Sequence, residues 1–178
     1  NRFNITTSSF INGEEGINEH GLAVAMTFVM TSLENIQAGF NSCFIVRYLL
    51  EKANSTENAL LLLMKLPVAS NCNILIADKN GEMIVVECTP YEKRIRKAVS
   101  MDNGKIVCTV NSFTSDEMKR HDAAKGNDYH SAKRYDTVME SFSTHIKGNL
   151  IEATEQLLKG DYGFMCQYDE PDFETVWS

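Results

Sequence analysis

Five cysteines and four histidines are the side chains in this sequence that most often serve as nucleophiles, bases or zinc ligands. They are Cys43, Cys72, Cys88, Cys108, Cys166, His20, His121, His130 and His145. A thiol beside an imidazole could attack a carbonyl, but scattered cysteines are more often buried, reduced thiols. No CxxC, HxxxH or HExxH spacing favours a metal site, and the sequence has no GxSxG turn or glycine-rich phosphate loop. Spacing by itself identifies no catalytic centre.

The composition predicts a single globular domain over residues 1–178. With 43% hydrophobic residues, the chain can bury a sizeable core. Its net charge of -7 argues against nucleic acid as a partner, because nucleic acid selects basic surfaces, and gives no support for an anionic membrane. No apolar run approaches the roughly 20 residues that span a bilayer. We predict no metal, no other cofactor, and a cytoplasmic rather than a secreted location.

The first half of the sequence predicts a pair of strands followed by a pair of helices. The strands are residues 3–12 and 21–31, joined by a turn at Asn12–Gly16, and the helices are residues 41–53 and 56–66. Asn41 or Ser42 can cap the first helix, and Ser55 can cap the second. Pro67 soon after the second helix predicts its end.

The second half of the sequence predicts mainly hairpins and helices. Strands are predicted at Asn73–Ala77, Met83–Cys88, Arg94–Val99 and Lys105–Val110, helices at Ser131–His145 and Leu150–Leu158, and a last strand begins at Val176. Asn80-Gly81 between the first two apolar runs is a strong hairpin signal. The next two strands form a second pair, so Asn111 is predicted to lie at the end of a strand. Antiparallel strands with helices grouped apart predict an α+β fold.

The segment Glu15–Ala25 contains the sequence Gly16-Ile17-Asn18-Glu19-His20-Gly21-Leu22, interpreted as a turn at Gly16–Asn18 that leads into a strand. It resembles a segment of the N-terminal-nucleophile hydrolases that cleave linear amides. That superfamily includes bile salt (choloylglycine) hydrolase, penicillin V acylase and the penicillin acyltransferases of peptidase family C45, to which the similarity is greater. Further segments resemble family segments in the same order: Asn73–Pro90, Val107–Phe113, Ser131–Tyr135 and Thr175–Ser178.

The resemblance implies a partial αββα sandwich of antiparallel sheets that lacks the N-terminal strands of the family. The family's asparagine falls on Asn111 and its arginine on Arg134, and a backbone N–H that binds the oxyanion falls on Phe28. Residues expected to be structural, because they shape the turn and satisfy backbone groups, are Asn18, Glu19 and Gly21.

The same resemblance implies a mechanism. An N-terminal cysteine attacks the amide carbonyl of a small acyl amide, and its own α-amino group, with an ordinary pKa of ~8, takes the thiol proton. Asn111 and the Phe28 N–H would donate to the tetrahedral oxyanion, each contributing ~3 kcal/mol. The cationic Arg134 would polarise the site and lower the pKa of the thiol.

In the family a long stretch that carries this cysteine precedes the segment, which here begins about a dozen residues from Asn1. Asn1 is not a cysteine, and the arginine–aspartate pair that flanks the cysteine in the family is also missing. We therefore expect the nucleophile to belong to a longer parent protein and this chain to be inactive by itself. Missing strands would leave apolar surface open, so self-association into a homo-oligomer is a further expectation. The alternative function is a non-catalytic binding domain that retains the fold.

Overall fold

The computed structural model describes residues 1–7, 13–102, 104–125, 128–146 and 149–165. Its strands are β1 (Phe3–Thr6), β2 (Glu15–Asn18), β3 (Leu22–Phe28), β4 (Cys72–Asp78), β5 (Met83–Cys88), β6 (Lys93–Lys97), β7 (Val99–Met101) and β8 (Gly104–Ile106). Its helices are α1 (Ser42–Lys52), α2 (Thr56–Lys65), α3 (Asp116–Lys119), α4 (Ser131–Thr144) and α5 (Leu150–Lys159), with 3₁₀ turns at Leu33–Asn35 and Asp128–His130. Within these ranges, no helix has the length and apolar character that a membrane span requires.

A six-stranded antiparallel sheet forms the centre of the fold, and strands β1 to β6 are adjacent in sequence order. Helices α1 and α2 cover one face. Because side chains of a strand alternate between faces, Leu22 and Val24 of β3 lie beside Ile74 and Ile76 of β4 in the core beneath the helices. Each such side chain stabilises the fold by about 1.5–3 kcal/mol when fully buried. Antiparallel strands packed against separate helices confirm the α+β class.

The opposite face of the sheet differs between its two halves. Over β1 to β4 it carries small and apolar side chains, Ile17, Ala23, Ala25 and Leu75, which line a shallow cavity of about 290 Å³. The rest of this face, which extends from the end of β3 to β6, carries polar side chains.

Those polar side chains form a row in register across four strands. Thr27 of β3 lies opposite Asn73 of β4, Asn73 opposite Glu87 of β5, and Glu87 opposite Arg94 of β6. Residues 108–115, here called the Asn111 segment, are hydrogen-bonded over this row.

Local signals in the sequence predicted α1, α2 and the β4–β5 hairpin correctly. The side chain of Asn41 accepts a hydrogen bond from Cys43 N–H at 2.9 Å, and that of Ser55 from Asn58 N–H at 3.2 Å, so both helices begin at side-chain caps. The hairpin turn contains Gly81 with a φ of +83°, which glycine adopts without strain. Helices α4 and α5 also lie where the sequence predicts them.

The prediction of two long N-terminal strands joined by a turn is wrong, because Glu15–Asn18 forms strand β2 between β1 and β3. Gly16 lies in this strand, where a Cβ would come within 2.4 Å of Asn4 O. The close approach of the β1 backbone therefore explains why residue 16 is a glycine. The turn lies after β2 and contains Gly21, which has a φ of +79°. Residues 8–12 of the first predicted strand lie outside the described residues.

The predicted second pair of strands has different partners in the structure. Strand β6 pairs with β5, whose other edge is occupied by β4. Among the described residues, β7 pairs with β8 alone, in a separate two-stranded sheet. Asn111 is not at the end of a strand, since it lies between Val110 and Ser112, which form an isolated bridge with each other. The predicted strand at Val176 lies beyond the described part of the chain.

Candidate active site

The Asn111 segment is held to the sheet by side chains rather than by a regular ladder. Thr27 Oγ1 donates to the carbonyl of Val110 at 2.7 Å. Asn73 Nδ2 lies 3.0 Å from the same carbonyl and 3.1 Å from that of Ser112. The two carbonyls that flank Asn111 are therefore both anchored to the sheet.

A buried ion pair anchors the two ends of the same segment. Glu87 is fully buried, and its Oε1 accepts from the N–H of Thr114 at 2.8 Å, from the hydroxyl of Thr114 at 2.8 Å and from the N–H of Ser115 at 3.2 Å. Arg96 Nε lies 3.0 Å from Oε1, in a charge contact that is not aligned as a hydrogen bond. A terminal nitrogen of Arg96 donates to the carbonyl of Cys108 at 2.7 Å.

The side chain of Asn111 joins two other residues that the sequence singled out. Its Nδ2 donates to the carbonyl of Phe28 at 3.1 Å, and its Oδ1 accepts from Arg134 at 2.9 Å. The amide cannot be reversed, because a carbonyl only accepts and a guanidinium only donates. Nδ2 carries two hydrogens, and among the described residues Phe28 is its single acceptor, so one N–H can still donate to a ligand.

Arg134 lies in the first turn of α4, and several groups hold its guanidinium. Its Nε donates to the carbonyl of Tyr129 at 2.9 Å, and a terminal nitrogen lies 3.4 Å from Ser131 Oγ. Tyr129 and His130 both have left-handed backbone angles, with φ of +49° and +52°. Such conformations cost ~1–3 kcal/mol in residues other than glycine and cluster at functional sites. Here the left-handed pair precedes the helix that carries Arg134.

Phe28 directs its backbone groups to one edge of β3. Val29 N–H donates to Asn71 O on the β4 side, whereas Met26 N–H donates to Glu14 O on the β2 side. Since successive residues of a strand face opposite edges, the N–H and carbonyl of Phe28 face the β2 side, beyond Glu14. The carbonyl of Phe28 binds Asn111, so the Phe28 N–H and the Asn111 amide lie on the same side of β3, at the end of this strand.

The residues predicted to be structural bind backbone groups around the β2–β3 turn. Asn18 is buried and donates to the carbonyls of Leu50 and Ala53 at the end of α1, at 3.0 and 2.8 Å, while its Oδ1 accepts from two turn amides. Glu19 accepts from the N–H of Arg2 at 3.0 Å. None of these contacts involves Asn111 or Arg134.

Three of the cysteines have thiols whose environment disfavours a nucleophile. Burial raises the pKa of Cys108 to about 11 although two arginines act in the opposite direction. A hydrogen bond with Cys88 and burial raise the pKa of Cys72 well above 9.0, and burial also raises the pKa of Cys43. Because the thiolate is the reactive form, these side chains fit structural roles. Cys166 lies outside the described residues.

Sequence reasoning did not single out Thr27, Asn73, Glu87 or Arg96 as part of the site. A signal for two of them exists, since Asn73 and Glu87 are polar residues inside apolar, β-branched runs. The turn at Asn80-Gly81 sets the hairpin register, and that register places Asn73 opposite Glu87. A polar pair on one face of an otherwise apolar hairpin indicates that something polar covers that face.

Comparison with solved structures identifies the fold as that of the N-terminal-nucleophile hydrolases. Penicillin V acylase from Agrobacterium tumefaciens superposes with a TM-score of 0.53 at 15% sequence identity, over 87% of this chain and 54% of that one. A variant of the conjugated bile acid hydrolase from Clostridium perfringens gives a TM-score of 0.51 at 17% identity, over 87% of this chain and 61% of that one. The chain thus spans a little over half the length of these structures and corresponds to a part of their fold.

The sequence gives a narrower assignment. The model of the acyl-coenzyme A:6-aminopenicillanic acid acyl-transferase family matches residues 4–177, and the chain belongs to this family. No curated protein sequence matches it.

Proposed function

We propose that this chain is part of a cysteine-type N-terminal-nucleophile enzyme that hydrolyses, or transfers an acyl group from, the linear C–N bond of a small acyl amide. The nucleophile would be the N-terminal cysteine of the mature protein, which is not among the residues of this chain. Asn111 and the Phe28 N–H would stabilise the oxyanion, and Arg134 would orient and polarise Asn111.

One observation carries this proposal. Phe28, Asn111 and Arg134 come from separate segments of the sequence, yet they form one hydrogen-bonded chain at the end of strand β3. Asn111 is partly exposed there, so an N–H donor at this position can meet a ligand.

The geometry supports a role in stabilising negative charge. The guanidinium of Arg134 withdraws electron density from Asn111 Oδ1, which strengthens the remaining N–H of Nδ2 as a donor. A neutral amide donor whose direction is already fixed requires no reorganisation when the carbonyl oxygen becomes an oxyanion. Loss of one such donor typically lowers kcat ~10²–10³-fold.

The family and the fold support the proposed substrate class. The family is named for acyl transfer to 6-aminopenicillanic acid, and the similar structures are a penicillin V acylase and a conjugated bile acid hydrolase. We therefore propose that the substrate of this protein is an acyl group joined to an amine through an amide bond, and we do not assign the amine.

The test uses the full-length protein with its N-terminal cysteine exposed. Release of amine is measured with penicillin V, a glycine-conjugated bile acid and a series of N-acyl 4-nitroanilides. Asn111→Ala and Arg134→Met are compared with the wild type, and Asn54→Ala, an exposed asparagine in the α1–α2 loop, serves as the matched control.

We expect Asn111→Ala to lower kcat ~10²–10³-fold with little change in KM, because the donor acts mainly in the transition state. Arg134→Met should lower kcat in the same direction, and Asn54→Ala should leave it unchanged. A wild type that cleaves none of these amides would favour the non-catalytic binding domain. A kcat of Asn111→Ala within twofold of the wild type would overturn the assignment of the site.

A further inference from the structure

We propose that Asn73 is a positioning residue for Asn111, an inference that rests on the proposed role of Asn111. Asn73 Nδ2 lies 3.0 Å from Val110 O and 3.1 Å from Ser112 O, the two carbonyls on either side of Asn111. A carboxamide nitrogen has two N–H groups, so it can hold both carbonyls at once. The peptide groups before and after Asn111 are thereby fixed, and with them the direction in which its side chain leaves the backbone.

The carboxamide oxygen of Asn73 indicates that this residue is present for its two N–H donors. Asn73 is fully buried, and its Oδ1 has no hydrogen-bond partner among the described residues. A buried acceptor without a partner destabilises a fold and is rare. The amide cannot turn over to relieve this, because Oδ1 would then face two carbonyl oxygens. An apolar side chain would avoid the unpaired oxygen, but it would leave the Asn111 segment unanchored.

Thr27 completes the same anchor. Its Oγ1 donates to Val110 O at 2.7 Å and lies 3.1 Å from Asn73 Nδ2. Thr27 directly precedes Phe28, whose carbonyl binds Asn111. The anchor of the Asn111 segment and the acceptor of the Asn111 side chain therefore lie on adjacent residues of β3, which fixes the distance between them.

This arrangement matters for the chemistry because an oxyanion donor acts only over a short range. Functional groups must be held within ~0.5 Å of their productive position, and a displacement of ~1 Å can lower a rate ~10²-fold. Removal of the Asn73 amide should therefore lower kcat through Asn111, without a direct contact between Asn73 and the substrate.

The experiment is a double-mutant cycle in the full-length protein, with the N-acyl 4-nitroanilide that the wild type cleaves fastest as the probe. Asn73→Ala and Thr27→Val are each measured in the wild-type and in the Asn111→Ala background. The control is Asn71→Ala, because Asn71 is also buried and donates to two carbonyls, those of Met30 and His121, outside the Asn111 segment. Melting temperature and the fraction of titratable cysteine are recorded for every variant.

We expect Asn73→Ala to lower kcat roughly 10- to 100-fold with KM changed less than about threefold. Thr27→Val, which keeps the shape of the side chain, should lower kcat by a smaller factor. In the Asn111→Ala background both changes should alter kcat by less than about twofold, since the group that they position is already absent. Asn71→Ala should lower the melting temperature but leave the kcat of the folded enzyme unchanged.

Other outcomes separate the two proposals. If Asn111→Ala lowers kcat and Asn73→Ala does not, the positioning role is wrong while the proposed function stands. An equal loss of kcat from Asn73→Ala in both backgrounds, or an equal loss from Asn71→Ala, would identify a merely structural effect and overturn the positioning role. An unchanged kcat in Asn111→Ala overturns the assigned role of Asn111 and, with it, the positioning role of Asn73. If Asn73→Ala does not fold, the Thr27→Val cycle decides by the same criteria.

Discussion

Replacement of Glu87 by Gln is the change for which the structure gives the most definite expected magnitude. The carboxylate is fully buried, and one of its oxygens accepts two backbone N–H groups and one hydroxyl from Thr114 and Ser115. Its counter-ion, Arg96, is 17% exposed. Glutamine keeps the size of the side chain and one acceptor oxygen, but it removes the charge.

The expected loss of stability follows from the bonds that lose this charge. A hydrogen bond to a charged group contributes about 1.5–3 kcal/mol and a neutral one about 0.5–1.5 kcal/mol, so each of the three bonds weakens by ~1 kcal/mol. The substitution also leaves Arg96 without its counter-ion, and breaking a largely buried pair typically costs 3–5 kcal/mol. The three weakened bonds account for ~3 kcal/mol and the unpaired Arg96 adds to this, so we expect Glu87→Gln to lower the free energy of unfolding by at least ~3 kcal/mol.

Urea denaturation of the full-length protein, followed by far-UV circular dichroism, measures this quantity. Glu82→Gln is the matched control, because Glu82 is exposed next to the β4–β5 turn, and its effect should stay within ~0.5 kcal/mol. Arg96→Met completes a double-mutant cycle, in which we expect a coupling of ~1.5–3 kcal/mol with Glu87→Gln. A Glu87→Gln variant that unfolds within ~0.5 kcal/mol of the wild type, at an unchanged slope, would refute the reasoning.

Two further predictions concern ionisable groups. The hydrogen bond from Thr56 N–H holds the pKa of Asp78 below its ordinary value of 3.8; burial opposes this shift and a hydrogen bond from Asn80 N–H adds to it. The Asp78 carboxylate therefore stabilises the fold fully above pH 3.8, and this stabilisation is lost as the pH falls through the lower pKa of the folded state. The variant Asp78→Asn should thus lose less stability than the wild type between about pH 5 and pH 3 in urea titrations, and an identical pH profile would contradict this. A pKa of about 11 instead of 9.0 leaves Cys108 with ~100-fold less thiolate at neutral pH, so iodoacetamide at pH 7.5 should alkylate it at least ~100-fold more slowly than in the urea-unfolded protein, as measured by peptide mass spectrometry.

The parts of the fold that the sequence predicts correctly are those that local chemistry specifies. Caps at Asn41 and Ser55 and the turn at Asn80-Gly81 act within a few residues, so their effects are visible in a short window. Strand β2 was missed because Gly16 has two explanations, a turn or a close approach of another backbone. Only the pairing with β1 distinguishes them, and that pairing is not a local property.

The candidate site divides in the same way. Asn111, Arg134 and Phe28 came from the resemblance to a family, since an asparagine and an arginine at those spacings have many ordinary uses. The residues that hold these three in place were not predicted. The role of the buried Asn73, for example, depends on hydrogen bonds to carbonyls 37 and 39 residues away in the sequence. A polar residue in an apolar strand signals a partner, but it does not say which segment supplies it.

The bond between Asn111 and Phe28 joins residues 83 positions apart, and the bond between Arg134 and Asn111 joins residues 23 positions apart. Contacts that close such long loops form late in folding, after the shorter hairpins have paired. The Asn111 segment has few backbone pairings of its own, so it can order only on a sheet whose β3, β4 and β5 strands are already in register. The proposed catalytic activity should consequently return more slowly than secondary structure during refolding. A partly folded molecule would retain its helices and most of its strands but would lack the proposed oxyanion site.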